Sequence, residues 1–515
     1  MKRLICHAVL AVVLTTGFIF STYSQSLDQI GVTLLRTQTT NLDGSGIRVA
    51  QPEAGADNDP NKWEIYAANV GKSVSLFDYY SADGLTNFFP NVLGTNSWHA
   101  EAVGNNFYGL SGTATNIAHV DNYEANFFIT NYIFNLTSMP TAAVVNQSFT
   151  FGALSASDQQ GADSAYDDYS EMYPTLFVSA ANNGGSVCAP GTSYNCICVA
   201  AYGGSSSFGP TIDNGRCKPD ITAPAGATSF STPQVSGAAA LLMQAALRGD
   251  GGSDTNSAFD MRTIKALLLN GAVKPADWTN SNSSPLDARY GAGVLNVFNS
   301  YEQLAGGKND SSATNLISID AAHLPVAATS FITAPSGWDF ENISSTATND
   351  AVNHYFFNAT NGLATATLVW NRQFGETNIN DLDLFLFNAA NSNLVACSTS
   401  RVDNVEHIFL PQLPAGIYDL QVLKNGGTNV VSDNETYALA FAFAPVKLNL
   451  ASVGTNAVLT WPVYPAGFCV EATTNLSVPT WSTNNISATI TGSTNILTAT
   501  MTNAAQFFRL CSPNF

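Results

Sequence analysis

The order in which apolar runs change character constrains the fold of these 515 residues more than any other feature. Up to about residue 305, short β-branched runs alternate with longer Ala- and Leu-rich ones. IRVAQPE (47–53), KSVSLF (72–77), AAVVNQSF (142–149) and TLFVSAA (175–181) predict buried strands. VSGAAALLMQAALR (235–248) and MRTIKALLLNGAV (261–273) predict helices. Such alternation predicts an α/β domain built on a parallel sheet with flanking helices. From residue 306 only strand-like runs follow, among them ATATLVWNRQF, DLDLFLFNA, GIYDLQVLK and ETYALAFAFAP. They predict an antiparallel β-sandwich or jelly roll over 306–445. Residues 446–515 predict a small C-terminal β-module, and no repeat period joins the segments.

The first residues belong to none of these. Met1-Lys2-Arg3, an apolar run to Phe20 and the small residues Ser21-Thr22-Tyr23-Ser24 have the pattern of a secretory signal peptide, 1–24. The apolar run is marginal for a membrane span, which needs about 20 residues, and no later run is long enough. The mature chain is therefore expected to be exported, to the extracellular space or the cell surface, without a membrane span. The catalogue of charges excludes another class. With 19 basic against 38 acidic residues the net charge is −19, and losing Lys2 and Arg3 takes it to −21. A nucleic-acid binder needs cations for the phosphates, so no nucleic-acid partner is expected.

Export permits disulfides. Of eight cysteines, Cys6 lies in the signal. Cys188, Cys196, Cys198 and Cys217 fall within 30 residues and are expected to form two bridges, in one of three pairings. A zinc site is the alternative, but the spacing lacks paired C-x-x-C elements. Cys469 and Cys511 bracket the last module and are expected to pair, leaving Cys397 free.

The chemistry concentrates at Gly226-Ala227-Thr228-Ser229-Phe230-Ser231-Thr232-Pro233-Gln234-Val235-Ser236-Gly237. Ser229 stands at the start of an Ala/Leu-rich helix, where free backbone N–H groups and the helix dipole favour a developing negative charge. Pro233 is expected near the helix start, where its missing N–H costs nothing. Gly237 is expected to allow close packing.

This segment resembles the serine motif of the subtilisin-like proteases, G-T-S-M-A-x-P-H-V-x-G, with Ala227 and Gln234 in place of a Gly and a His. FGPTIDNGRCKPDITAPAG (208–226), IKALLLNGAV (264–273) and RYGAGVLNV (289–297) resemble neighbouring family blocks in the family's order. The resemblance implies a subtilisin-like catalytic domain over 25–305 and a serine endopeptidase acting on protein or peptide substrates, as a monomer. It implies Ser229 as nucleophile. SWHAEAVGNNFYG (97–109) resembles the histidine block, which makes His99 the base, with Ala100 and Glu101 replacing the usual Gly-Thr. TLFVSAANNGG resembles the oxyanion block and implies Asn183 as side-chain donor, or Asn182 on a one-residue slip. At the place of the family's aspartate, GSGIRVAQPEAG (44–55) has Glu53, with Asp57 and Asp59 close by as alternatives. Ser148 would pair with substrate backbone. A chain with so many replacements is open to a second reading, a catalytically degenerate scaffold that binds a surface or polymer.

The middle domain resembles the β-barrel that follows some alkaline subtilase domains, through ATLVW (366–370), NDLDLFLF (380–387), DNVEHI (403–408) and AGIYDLQV (415–422). No cofactor is required for the chemistry. Asp381 and Asp383 alternate on one strand face, and with Glu406 they are candidate ligands for a structural Ca²⁺. The last module resembles modules of exported proteins of environmental bacteria.

Overall fold

The computed structural model describes residues 23–91, 94–319, 321–444, 447–483, 487–491, 494–501 and 505–511. Most of the predicted signal peptide, residues 1–22, lies outside the described residues. Two short helices, α1 (Tyr23–Gln29) and α2 (Val32–Gln38), open the description. Ten strands follow in the α/β part: β1 (Arg48–Glu53), β2 (Lys62–Glu64), β3 (Phe77–Ser81), β4 (Gly84–Thr86), β5 (Thr95–Asn96), β6 (His119–Glu124), β7 (Val144–Gln147), β8 (Leu176–Ala180), β9 (Ile197–Tyr202) and β10 (Ile221–Pro224). Interleaved with and following them are α3 (Trp98–Phe107), α4 (Ala125–Phe128), α5 (Ala156–Met172), α6 (Thr228–Leu247), α7 (Thr255–Phe259), α8 (Met261–Asn270) and α9 (Val297–Ala305).

Eight of these strands form one sheet, in the order β10-β9-β8-β7-β1-β6-β3-β4, parallel except for the β3–β4 hairpin. β2 and β5 pair with each other beside it. The strand order reverses at β1: the chain builds β3 and β6 on one side, then returns to lay β7 to β10 on the other. In open α/β sheets a crevice forms at the carboxyl ends of the strands at such a point. β1 is buried from Val49 to Glu53, as a central parallel strand covered on both faces must be. It contains Pro52, which lacks a ladder donor. The strand tolerates it because pairing with β7 ends at Ala50, while β6 alone continues beside it to Glu53. Helix α6 runs under the sheet and is buried along most of its length. Gly237 lets it approach residues 113–114 closely, since a Cβ there would meet the Thr113 Cβ at 2.5 Å.

One expected strand starts late. In KSVSLF, Val74–Leu76 form a 3₁₀ turn and the strand starts only at Phe77. Ser73 Oγ accepts the Ser75 N–H, a local bond that competes with a strand ladder.

Residues 313–442 form nine strands in two antiparallel sheets of five and four, packed on a common core that includes Trp370, Tyr355 and Phe441. The described residues of 449–511 add two small sheets, of four and three strands. The four-stranded sheet of the sandwich lies on α8 of the α/β part. Val369, Val405, Ala438 and Ala440 share the core of the first domain, and the hydroxyls of Thr365 and Thr367 donate to Asn270 Oδ1 at 2.8 and 3.0 Å. Arg372 of the sandwich pairs with Asp167 of α5 at 3.2 Å, with both side chains buried.

The cysteines correct the expectation of two bridges. Cys188, Cys196, Cys198 and Cys217 are all free thiols, as is Cys397, while Cys469 and Cys511 are joined. The Cys196 thiol is spent on the carbonyls of Pro190, Gly191 and Ser193, and burial pushes it up to about 12. Cys198 packs with Ala181 and Val187. Cys188, Cys196 and Cys198 are buried and Cys217 is half-buried, and buried free cysteines commonly act as small apolar fillers.

Candidate active site

Glu53 is the last residue of β1, at the reversal point of the sheet. Its side chain is 1% exposed, and its Oε2 lies 3.0 Å from Nδ1 of His99, whose own side chain is 15% exposed. His99 is the second residue of α3, a helix capped by Ser97, whose Oγ accepts the Ala100 N–H. The other carboxylate oxygen of Glu53 accepts the amide of Gln51 at 2.7 Å. That amide also donates to the Ala100 carbonyl, and its oxygen accepts the Tyr108 hydroxyl at 2.6 Å. Burial first, and then the Glu53 charge, hold the Tyr108 phenol well above its usual range. The alternatives for the acid lie elsewhere. Asp57 is bound by Trp98 Nε1 and Lys62, which hold its carboxyl below the usual range, and Asp59 closes a turn onto the Asn61 N–H.

Ser229 is the second residue of α6, after Ala227, whose backbone is extended. Its N–H has no hydrogen-bond partner among the described residues, as befits the open end of a helix. Pro233 is not at the helix start as expected but six residues in. There the missing N–H leaves the Ser229 carbonyl without its helical donor, and Ser148, just past the end of β7, supplies one: its Oγ donates to that carbonyl at 2.9 Å. The Ser229 hydroxyl in turn donates to the Ser148 carbonyl at 3.4 Å, and no hydrogen bond joins it to His99 in this structure. Ser148 thus grips the Ser229 segment itself. The Phe230 ring lies 6.0 Å from the His99 imidazole.

Asn183, exposed in the loop after β8, accepts both the N–H and the hydroxyl of Thr228 on Oδ1, at 2.8 and 2.9 Å. These two donors orient the amide and leave Nδ2 unbonded among the described residues. Asn182 is differently placed. Its backbone is left-handed, φ 97°, and its Nδ2 turns back to Gly184 O.

The three residues named for calcium do not form one ligand cluster. Glu406 is fully buried, with its oxygens engaged by Ser398 Oγ and the Ser400 N–H. Asp383 is pushed up to about 7, by burial first and then by the Asp381 charge. Among the described residues the groups that gather three ligand atoms are Asp78, His119 and Asp121, where Arg48 already pairs with Asp121 at 2.7 Å, and Asp310, Asp339 and Glu341. No helix among the described residues is long and apolar enough to cross a membrane.

Residues 129–293 match the family model described as the subtilase family, Peptidase_S8. The subtilase match spans Ser148, Asn183 and Ser229 but starts beyond Glu53 and His99. No curated protein matches the chain. Among solved structures it is similar to the prenylagaramide maturation protease PagA, at 20% identity over 54% of this chain and 99% of that one, with a TM-score of 0.36. It is similar to the PatG macrocyclase in complex with peptide, at 16% over 54% and 97%, TM-score 0.37. It is also similar to the epidermin leader peptide processing serine protease of Staphylococcus aureus, at 16% over 57% and 84%, TM-score 0.34.

Of the four candidate residues, the fold brings Glu53 onto His99 and Asn183 onto the residue before Ser229. No motif in the sequence marks Gln51 or Tyr108, which contact Glu53 and the histidine helix. Gln51 and Glu53, two apart on one strand, share a face.

Proposed function

We propose that the chain is an exported serine endopeptidase that hydrolyses peptide bonds through Ser229, His99 and Glu53. The observation that carries the reading is the buried Glu53 carboxylate on His99 Nδ1 at 3.0 Å, because it fixes the tautomer that presents Nε2 as a base. On substrate binding the Ser229 hydroxyl swings from the Ser148 carbonyl to His99 Nε2. Catalytic hydrogen bonds of this kind are often long or misaligned until substrate is bound. His99 takes the proton as Ser229 Oγ attacks the carbonyl, and the tetrahedral oxygen is held by the Ser229 N–H and Asn183 Nδ2. His99 then protonates the leaving amine, and water attacks the acyl-enzyme by the same route. Ser148 holds the Ser229 backbone in place during both steps.

A fluorophosphonate probe tests this directly. It is expected to label Ser229, with loss of label in Ser229→Ala and strong loss in His99→Ala. A folded wild-type chain that takes no label would sink the reading and favour the degenerate binding scaffold. Export is tested by sequencing the N-terminus of the secreted product, expected to begin at Gln25.

A further inference from the structure

We infer that Gln51 is a positioning residue that clamps the catalytic acid and the histidine helix into register, an inference that rests on the peptidase reading above. The acid here is a glutamate, whose extra rotatable bond gives its carboxylate more ways to swing off the imidazole than an aspartate has. A carboxylate held at one oxygen pivots about that contact. Glu53 is held at both. Oε2 faces His99 Nδ1 at 3.0 Å, and Oε1 takes the Gln51 amide at 2.7 Å.

The same amide nitrogen donates to the carbonyl of Ala100 at 3.0 Å. Ala100 follows His99 in the first turn of α3, so one NH₂ group touches the acid and the element that carries the base. Its two hydrogens match its two acceptors. The orientation of the amide is fixed chemically as well. Glu53 and the Ala100 carbonyl can only accept, and the remaining contact is the Tyr108 hydroxyl at 2.6 Å, which donates to Oε1 of Gln51. Tyr108 caps the far end of α3. Gln51 therefore meets both ends of the histidine helix, through Ala100 at the start and Tyr108 at the end. All three side chains, Gln51, Glu53 and Tyr108, are at most 1% exposed, so water cannot replace a lost partner. β1 is paired with β6 through both Gln51 and Glu53, which fixes the backbone that projects them.

The test uses Gln51→Met, of similar length but without donors, in the full mature chain. The variant is expected to keep KM while kcat falls about ten- to a hundred-fold, a part of the roughly 10²–10⁴-fold that a positioned acid–base group supplies. Gln51→Met is expected to add no further loss in a Glu53→Gln background, because a residue acting through Glu53 has nothing left to position. A merely structural residue would multiply the two losses. Tyr108→Phe is the milder second variant, expected to lower kcat several-fold, and it serves if Gln51→Met fails to fold. A readout free of turnover separates this inference from the peptidase reading: the downfield proton resonance of His99 Nδ1–H in Ser229→Ala protein. It is expected to be sharp with Gln51 present and broadened or lost once Gln51→Met is added, whether or not the chain cleaves peptides. Unchanged kcat and an unchanged resonance in Gln51→Met would overturn the clamp. Absence of turnover and label in the wild type would overturn the peptidase reading alone.

Discussion

Replacing Glu53 by aspartate should damage the site. The substitution removes one methylene, withdrawing the carboxylate by about 1.5 Å from a contact that stands at 3.0 Å. The imidazole contact then opens beyond about 4 Å, outside the range in which an N–H···O bond has useful strength. The backbone cannot make up the difference. β1 is paired with β6 residue by residue up to Glu53 opposite Glu124, and a slide along that ladder moves by whole residues. The Gln51 amide, 2.7 Å from the carboxylate, loses its acceptor too. Leaving that buried donor unsatisfied costs about 1–3 kcal/mol of stability. With the imidazole no longer held in its tautomer, kcat should fall by about 10²–10⁴, the span between a typical acid–base contribution and loss of the triad acid. The assay is steady-state hydrolysis of a chromogenic peptide by wild type, Glu53→Asp and Glu53→Gln, with near-UV circular dichroism to check the fold. KM should move little. Wild-type kcat in Glu53→Asp would refute the argument that the site is built to the length of a glutamate.

Asn183→Asp keeps the acceptor that holds Thr228 but removes the Nδ2 donor, so kcat should fall about 10²–10³-fold with stability nearly unchanged, as read by kinetics and denaturant titration. Lys274 is buried against the Ala272 and Ala292 carbonyls, and burial lowers it to about 7. The unfolded chain therefore binds the extra proton between about pH 7 and the ordinary lysine value near 10.5, so this group makes stability rise across that window and imposes its full cost below it. Lys274→Met should flatten that rise, gaining about 2–4 kcal/mol more at pH 6 than at pH 10.5; melts showing the same pH slope in both proteins would refute the assignment. Thiol titration of the unfolded, unreduced mature chain should count five free cysteines, whereas one thiol would restore the two-bridge pairing.

Much of the architecture was legible because it rests on local pattern. Short apolar runs such as TLFVSAA became central strands, and the Ala-rich run after Ser229 became the helix under the sheet. What misled was local pattern that a competing contact overrides. KSVSLF has the composition of a strand, but a serine hydroxyl captures its backbone. Four nearby cysteines look like bridges, yet all four remain free thiols. Pro233 looks like a helix starter and is instead answered by Ser148, 81 residues from the carbonyl it serves. The site divides in the same way. Ser229, His99, Asn183 and Glu53 are readable from the blocks they stand in. The Tyr108–Gln51 contact joins residues 57 apart, and no periodicity announces it.

The buried pair of Asp167 and Arg372 has a consequence for any attempt to trim this protein. A chain ended after α9 would strip Asp167 of its cation inside a dry interior and bare the apolar face of α8 on which the sandwich rests. Asn195 and Tyr194, next to β9, would lose their contacts to Arg372 and Asn404 in the same cut. The segment beyond residue 305 therefore behaves as a missing wall of the first domain and not as a detachable appendage. An isolated head would be expected to clump or unravel, and the smallest piece worth expressing extends through Ala442.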